Sequence, residues 1–166
     1  CHIRDLADAW RAQGPYDEAF DVPHSTITTN LISGGIAINT VPDFCTFNYD
    51  FRHLPGHSAD GIQAEIQRYI DEELLPRMKR EYDGARVELE CGAAVAALNA
   101  SEQAAITALV RALTQDQGVR KVAYGTEAGQ FAQAGIPAVL CGPGSIERAH
   151  KVDEYVEVEQ LAQCDR

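Results

Sequence analysis

The residues best suited to chemistry in this sequence lie in two glycine-rich loops of its C-terminal part. The first loop, Gly125-Thr-Glu-Ala-Gly129, follows a short apolar stretch and precedes a segment with helical spacing. A strand-to-helix turn of this kind presents backbone N–H groups and a helix N-terminus, which suit an anion such as a carboxylate. The loop has neither a P-loop nor a GxGxxG pattern, so a plain turn is an equal alternative.

The second loop, 141–150, follows a continuous apolar run and ends at His150. Because sites in open α/β sheets form beyond the carboxyl ends of strands, we expect both loops at one edge. A neutral imidazole is a good zinc ligand, and the nearby Asp153 and Glu154 could orient its second nitrogen. A catalytic zinc site usually needs three protein ligands, so an isolated surface histidine is the alternative interpretation.

A third candidate is Arg52, which ends the polar face of an alternating segment, with Asn39 in the preceding glycine-rich link. An arginine fork beside an amide suits bidentate capture of a carboxylate. A structural salt bridge to Asp50 or Asp43 is an equal alternative from the sequence alone.

The remaining histidines and cysteines carry weaker signals. His53 and His57 flank Leu-Pro-Gly, and we expect both to be solvated in a turn. The cysteines are odd in number, widely spaced and without a CxxC pair, which favours free buried thiols in a reducing compartment. They are Cys1, Cys45, Cys91, Cys141 and Cys164.

The elements that must position these residues change in character near residue 99. Hydrophobic spacing predicts, in order, a helix, two strands, a helix with a kink or a boundary near Pro76, and a third strand. With one more strand in front, this order would make a ferredoxin-like split βαβ sandwich. The predicted ranges are 1–13, 25–33, 43–52, 58–80 and 87–91.

The second part alternates helices with short apolar strands. Ser101 is the expected cap of its first helix, in which Ile106, Leu109, Val110 and Leu113 should face inward. The apolar runs suit strands covered on both faces. The predicted helices are 101–117, 126–134 and 158–166, and the predicted strands are 121–124 and 137–141.

Composition narrows the functional class. The 166 residues include 14 Lys plus Arg against 25 Asp plus Glu, a formal net charge of −11. Scattered basic residues in an acidic chain argue against nucleic-acid binding. No apolar run approaches the roughly 18 residues of a membrane span. The 45% hydrophobic content is typical of a globular protein, which we expect in the cytoplasm.

Four stretches together carry a family resemblance: 34–43, 50–56, 125–129 and 141–155. In this order and spacing they resemble the acetylornithine deacetylase branch of the dizinc aminoacylase and carboxypeptidase family. The family also contains succinyl-diaminopimelate desuccinylase.

The resemblance implies a fold and a set of site residues. Residues 1–98 would form a lid and dimerisation domain without its first strand, and residues 99–166 the C-terminal segment of an α/β catalytic domain. Asn39 and Arg52 match residues that hold the substrate carboxylate, and Gly125 and Thr126 match a loop that contacts substrate. His150 matches a histidine that binds one zinc.

The resemblance also implies an activity, with departures. The family's HxD zinc motif, bridging aspartate and adjacent glutamates are missing, so we expect a C-terminal portion with no catalytic residue and no activity alone. Uncapped helices at both ends agree with this expectation. The parent would use two zinc ions, with cobalt as an alternative, to remove the acetyl group from N-acetylornithine in arginine biosynthesis, as a homodimer through the lid.

Two alternative functions stay open. One is a non-catalytic dimerisation or regulatory module built on the lid-like sheet. The other keeps the dizinc family but changes the small-molecule N-acyl amino acid, as in a desuccinylase, or acts as a carboxypeptidase.

Overall fold

The first half of the chain folds around one apolar cluster, in which two helices pack against a hairpin. The computed structural model describes residues 2–92 and 94–165. Helix α1 (His2–Gln13) contributes an inward stripe spaced at three and four residues, as its pattern predicts. The buried members of the cluster are Ile3, Leu6, Trp10, Ile27, Ile62, Ile66 and Ile70.

The hairpin consists of strands β1 (Thr26–Gly34) and β2 (Cys45–Arg52), which pair antiparallel. Thr26 pairs with Arg52 and Gly34 with Cys45, and the register shifts once between Thr29 and Leu31. Both strands are confirmed. The predicted alternation in β2 produces burial only near the helices, because Tyr49 and Phe51 pack on the cluster while Phe47 is exposed.

The second helical stretch is divided by a wider turn. Helix α2 (Ala59–Tyr69) begins at Ser58, whose Oγ accepts the Gly61 N–H at 3.2 Å. A π-helical turn (Ile70–Leu74) follows, and helix α3 (Leu75–Glu81) carries Pro76 in its first turn. The boundary predicted at Pro76 is confirmed, because proline has no N–H and is tolerated where a helix starts.

The third predicted strand, 87–91, is not formed. Val87 and Leu89 pack against the core and alternate with exposed neighbours, so the period-two burial is present. The backbone pairing is missing, since the sheet of the described residues has two strands. Alternation therefore predicted which side chains face the core but not a hydrogen-bonded ladder.

The second half consists of three short helices joined by irregular segments. They are α4 (Ala105–Thr114), α5 (Ala128–Gln133) and α6 (Val158–Cys164). The strands predicted at 121–124 and 137–141 are not formed within the described residues. Continuous apolar strands need cover on both faces, whereas Leu140 is 42% exposed.

Helix α4 departs from the prediction at its start and on its inner face. Ala104 is its cap residue, because Ser101 Oγ instead accepts the Gln103 N–H in a preceding turn. Ile106 and Val110 are partly buried, as predicted. Leu109 and Leu113 are 53% and 74% exposed, so for these two the inward prediction is wrong.

The mixed α/β class is confirmed. The helix, strand, strand, helix order of the first half fits an α+β lid. No helix within the described residues combines the length and the hydropathy that crossing a bilayer would require. The division of the chain at residues 98 and 99 stays a prediction.

The burial predicted for the cysteines is wrong for every described thiol. All four are free, as expected, but each is exposed rather than buried. Gln63 donates its side-chain amide to Cys91 Sγ at 2.8 Å. The four described cysteines are Cys45, Cys91, Cys141 and Cys164, while Cys1 lies outside the described residues.

Candidate functional site

Arg52 is the last residue of β2, on the same side of the strand as Asp50. Its Nε donates to Asp50 Oδ2 at 2.9 Å, with side chains 56% and 51% exposed. Of the two acidic partners considered from the sequence, the structure shows Asp50. This bond engages Nε and not the two terminal Nη groups, which form the end of the arginine fork. The ion pair is therefore compatible with carboxylate binding by the same side chain.

Asn39 lies in the turn that closes the long hairpin. Thr40 donates its N–H to the Ala37 carbonyl at 3.3 Å, and Asn39 is exposed within this turn. The residue is absent from the lining of the cleft that holds the other candidates. Its predicted role in substrate binding stays a prediction.

The loop 125–129 is held by a close backbone approach. A Cβ on Gly129 would lie 2.0 Å from the Ala96 carbonyl oxygen, so only glycine fits there. Gly125 faces Val95, where a Cβ would meet Cγ1 at 3.6 Å. Val95 and Ala96 therefore lie beside the two ends of the loop, and the approach is close only at Gly129.

Thr126 shapes the start of α5. Its Oγ1 accepts the Ala128 N–H at 3.3 Å, and the residue is partly buried. The hydroxyl thus satisfies one of the free N–H groups at the helix start. The predicted strand before this loop is missing, so the loop is a segment-to-helix turn rather than a strand-to-helix turn.

His150 is exposed and takes a left-handed backbone conformation, with φ of 59°. Its N–H donates to Glu154 Oε2 at 3.0 Å. Glu154 therefore binds the backbone of His150 and not the ring nitrogen, contrary to the orienting role suggested by the sequence. Asp153 has the same positive φ, which makes 150–154 a tight turn.

The residues around His150 do not complete a metal site. Across residues 2–92 and 94–165, no group of three or more His, Cys, Asp or Glu side chains is placed to hold a metal ion. The ring fits a single zinc ligand, but a catalytic zinc requires about three from the protein. Among the described residues, the turn 150–154 therefore offers one candidate ligand and not a complete site.

Four of the five predicted site residues line one wide, open cleft of about 3320 Å³. The cleft runs between the hairpin and the second half of the chain, and it is too open to enclose a small molecule by itself. The four residues are Arg52, Gly125, Thr126 and His150.

Two polar contacts lie outside the sequence predictions. His57, expected to be solvated, is partly buried, with Nδ1 2.9 Å from Ser25 Oγ, so that prediction is wrong. Burial is the main cause that lowers the pKa of His57. Asp17 accepts a hydrogen bond from Lys121 Nζ at 2.6 Å, and this bond is the main cause that lowers the pKa of Asp17.

No local sequence pattern predicts either contact. Ser25 and His57 are separated by 32 positions and Asp17 and Lys121 by 104. The available signal was weak: a serine directly before a strand, and a histidine in the turn after its partner strand. A two-stranded hairpin brings such positions together.

Comparisons with known proteins match most of the chain. The family model described as the peptidase dimerisation domain matches residues 2–78, from α1 into α3. Acetylornithine deacetylase of Myxococcus xanthus is 32% identical over 151 residues, which cover 90% of this chain and 38% of the relative. The enzymes of Pasteurella multocida and Salmonella arizonae are 30% and 31% identical, covering 95% and 94% of this chain and 39% of each relative.

The predicted resemblance is thereby confirmed, and its extent is informative. The chain spans about two fifths of the length of these curated relatives, 38–39%. Because the alignment with the Pasteurella multocida enzyme covers 95% of the chain, both glycine-rich loops lie within it. The similarity therefore continues beyond the dimerisation domain into the second half.

Proposed function

Residues 2–78 belong to the peptidase dimerisation domain family, and on this premise we propose that the chain is the lid and C-terminal portion of an amide hydrolase. The proposed reaction removes the acetyl group from N-acetylornithine, a step of arginine biosynthesis. The observation that carries the proposal is similarity to acetylornithine deacetylases over 90–95% of the chain.

Within this proposal the described residues bind rather than react. The Nη groups of Arg52 would hold the substrate carboxylate, with Asp50 fixing the other side of the guanidinium. Gly125 and Thr126 would contact the substrate across the same cleft. We assign Asn39 to the carboxylate only if the hairpin tip moves toward the cleft.

Metal dependence is part of the proposal and rests on the family. His150 would supply one ligand to one of two zinc ions, with cobalt as an alternative, and the other ligands would come from residues outside this chain. The bound ions would supply an activated water for amide cleavage. We propose that the chain alone is inactive, because it provides a single candidate ligand.

A homodimer through the lid is the proposed assembly. The hairpin tip, residues 31–47, exposes apolar side chains that the helices do not cover, and such patches are typical of interfaces. The exposed edges of a two-stranded sheet offer a second means of pairing. The exposed apolar residues of the tip are Leu31, Ile32, Ile36, Ile38, Val41, Phe44 and Phe47.

The test compares this chain with the protein expressed from the complete coding sequence that contains it. We expect zinc-dependent release of acetate from N-acetylornithine by the longer protein and none by the 166-residue chain. Faster turnover of N-succinyl-diaminopimelate or of a peptide would replace the substrate assignment. Turnover by the chain alone would overturn the assignment of its residues to binding.

A non-catalytic dimerisation module is the second candidate function. It is favoured by the match of the dimerisation domain itself and by the apolar hairpin tip. Analytical ultracentrifugation of this chain tests pairing, and Ile38→Ser within the tip should weaken it. The module becomes the better assignment if the longer protein pairs but hydrolyses none of the three substrates. Cytoplasmic location is proposed for either function, because free exposed thiols suit a reducing compartment.

A further inference from the structure

Ser25 joins the two ends of the hairpin through a buried hydroxyl. The residue lies directly before β1 and is 1% exposed. Its Oγ accepts the Leu54 N–H at 3.1 Å and lies 2.9 Å from His57 Nδ1. Both partners belong to the turn 53–57, which follows Arg52 at the end of β2.

The Ser25 hydroxyl has a single proton to donate. Its hydrogen bonds therefore depend on whether His57 is neutral or protonated. Ser25 Oγ already accepts from Leu54, so its proton is available to a neutral Nδ1. A His57 that carries its proton on Nε2 therefore accepts the Ser25 hydroxyl proton at Nδ1, and this form satisfies both contacts of Ser25 Oγ. An imidazolium would donate from Nδ1, and the buried hydroxyl proton would lose its acceptor, since the described part of the chain offers Ser25 Oγ no third partner.

One aromatic ring and two titratable side chains act directly on His57. Trp10 of α1 meets the imidazole edge-on at a centroid distance of 4.8 Å and brings no charge. Burial is the largest cause that lowers the pKa of His57, His53 lowers it further, and Glu65 on α2 opposes both. Beyond the turn, the charged groups that line a small pocket with residues 54–56 are Asp17, Glu18 and Lys121.

We propose that Ser25 and His57 form a proton-sensitive clasp, which holds the turn 53–57 against the start of β1 while His57 is neutral. Protonation of His57 releases the turn and frees the Leu54 N–H. Because Leu54 is two residues beyond Arg52, release loosens the end of β2 that carries the guanidinium. The clasp is a property of the fold and does not depend on amide hydrolysis.

The sign of the pH effect follows from linkage. The pKa of His57 in the folded chain lies below its ordinary 6.5, so the unfolded chain binds the proton at higher pH than the folded chain does. Stability from the clasp is therefore fully present above pH 6.5 and decreases as the pH falls through 6.5 toward the lower folded value.

The test follows hydrogen exchange of the Leu54 amide by NMR between about pH 7.5 and about pH 5, corrected for intrinsic rates. In the unmodified chain we expect Leu54 protection to fall about tenfold relative to the β1–β2 ladder amides. His57→Gln should abolish this pH response, and the matched control His53→Gln should keep it. An equal response in His57→Gln would overturn the clasp.

A second measurement needs no variant. Ring nitrogen shifts of His57 at neutral pH report its tautomer, and the clasp requires the proton on Nε2. A proton on Nδ1 would contradict the proposal even if His57→Gln failed to fold. In Ser25→Ala the pKa of His57 should rise toward 6.5, and an unchanged value would contradict donation from the Ser25 hydroxyl to Nδ1, on which the clasp depends.

Discussion

The N-terminal region, residues 2–92, and the C-terminal region, residues 94–165, differ in how much of their own sequence they can bury. The N-terminal region surrounds its apolar cluster with helices and a hairpin that are adjacent in the chain. In the C-terminal region, Ala128 is the one buried apolar residue among those described. Consecutive elements of the N-terminal region bury their apolar faces against one another, whereas most apolar side chains of the C-terminal region lack such cover among the described residues.

The difference follows from topology. An antiparallel hairpin finds its partner across one turn, and an amphipathic helix packs onto it at once. Apolar runs such as 137–141 suit central strands, which require neighbours on each side and helices on both faces. The chain spans 38–39% of its relatives, and a search for those partners in the longer protein is the direct way to test this explanation.

The largest effect is expected from a substitution in the apolar cluster, the feature that distinguishes the two regions. Ile62 is 1% exposed at its centre, so Ile62→Ala should destabilise the chain by about 2–5 kcal/mol through lost burial and a cavity. Urea unfolding followed by fluorescence of Trp10 measures it. Leu113→Ala in the C-terminal region, at a side chain 74% exposed, should change stability by less than about 0.5 kcal/mol. Equal effects of the two variants would remove the contrast between the regions.

The next effect tests whether the C-terminal region has a fixed contact of its own. Gly129→Ala would place a Cβ 2.0 Å from the Ala96 carbonyl oxygen, so the loop must move, at a cost of about 1–3 kcal/mol. Hydrogen exchange should rise in 125–133 while the cluster amides are unaffected. The control is Gly142→Ala, which meets nothing within 4 Å. Normal protection in Gly129→Ala would contradict the close approach.

A smaller effect concerns the cap that starts α2. Ser58→Ala removes the acceptor of the Gly61 N–H and should cost about 1 kcal/mol of unfolding free energy. Ser58→Asp keeps an acceptor and should retain most of the stability. Ser101→Ala is the comparison in the C-terminal region, where the hydroxyl binds within a turn and does not cap α4. A cost for Ser101→Ala as large as that for Ser58→Ala would weaken the distinction.

The smallest effect tests the ion pair that joins the regions. Lys121→Met removes the bond to Asp17 and the contact with the Phe20 ring, at 5.3 Å from its centroid. The bond from Lys121 lowers the pKa of Asp17 below its ordinary value of 3.8. The pair therefore stabilises the fold fully above pH 3.8, and this stabilisation is lost as the pH falls from 3.8 through the lower pKa of the folded chain. The difference between variant and unmodified chain should therefore shrink in acid. A difference that persists at low pH would assign the effect to the ring contact.

Sequence patterns predicted what depends on local periodicity. The four-residue spacing of Ile62, Ile66 and Ile70 predicted the inner face of α2 and of the π-helical turn after it, and alternation predicted β2. Alternation could not reveal that residues 87–91 lack a pairing partner, because burial and hydrogen bonding obey the same period. The short apolar runs of the C-terminal region predict strands by their composition. Composition does not show whether other elements pack on the two faces of such a strand.

The membership of the site stays a prediction, and the structure adds the contacts that its residues make. Family motifs selected Arg52, Gly125, Thr126 and His150, and all four line one cleft. The ion pair of Arg52 could not be chosen between two aspartates, since both lie near it in sequence. The clasp at Ser25 and the approach at Gly129 depend on register and on backbone distance, which no single-sequence pattern encodes.

The exposed thiols have a practical consequence for every measurement of assembly. Two of them, Cys45 and Cys91, belong to the N-terminal region, and Cys141 and Cys164 belong to the C-terminal region. Air oxidation could link two copies covalently and imitate a dimer formed through the hairpin tip, so sedimentation must be done with a reductant. The same four thiols are also probes of accessibility, because alkylation followed by mass spectrometry reports how exposed each cysteine of both regions is in one sample.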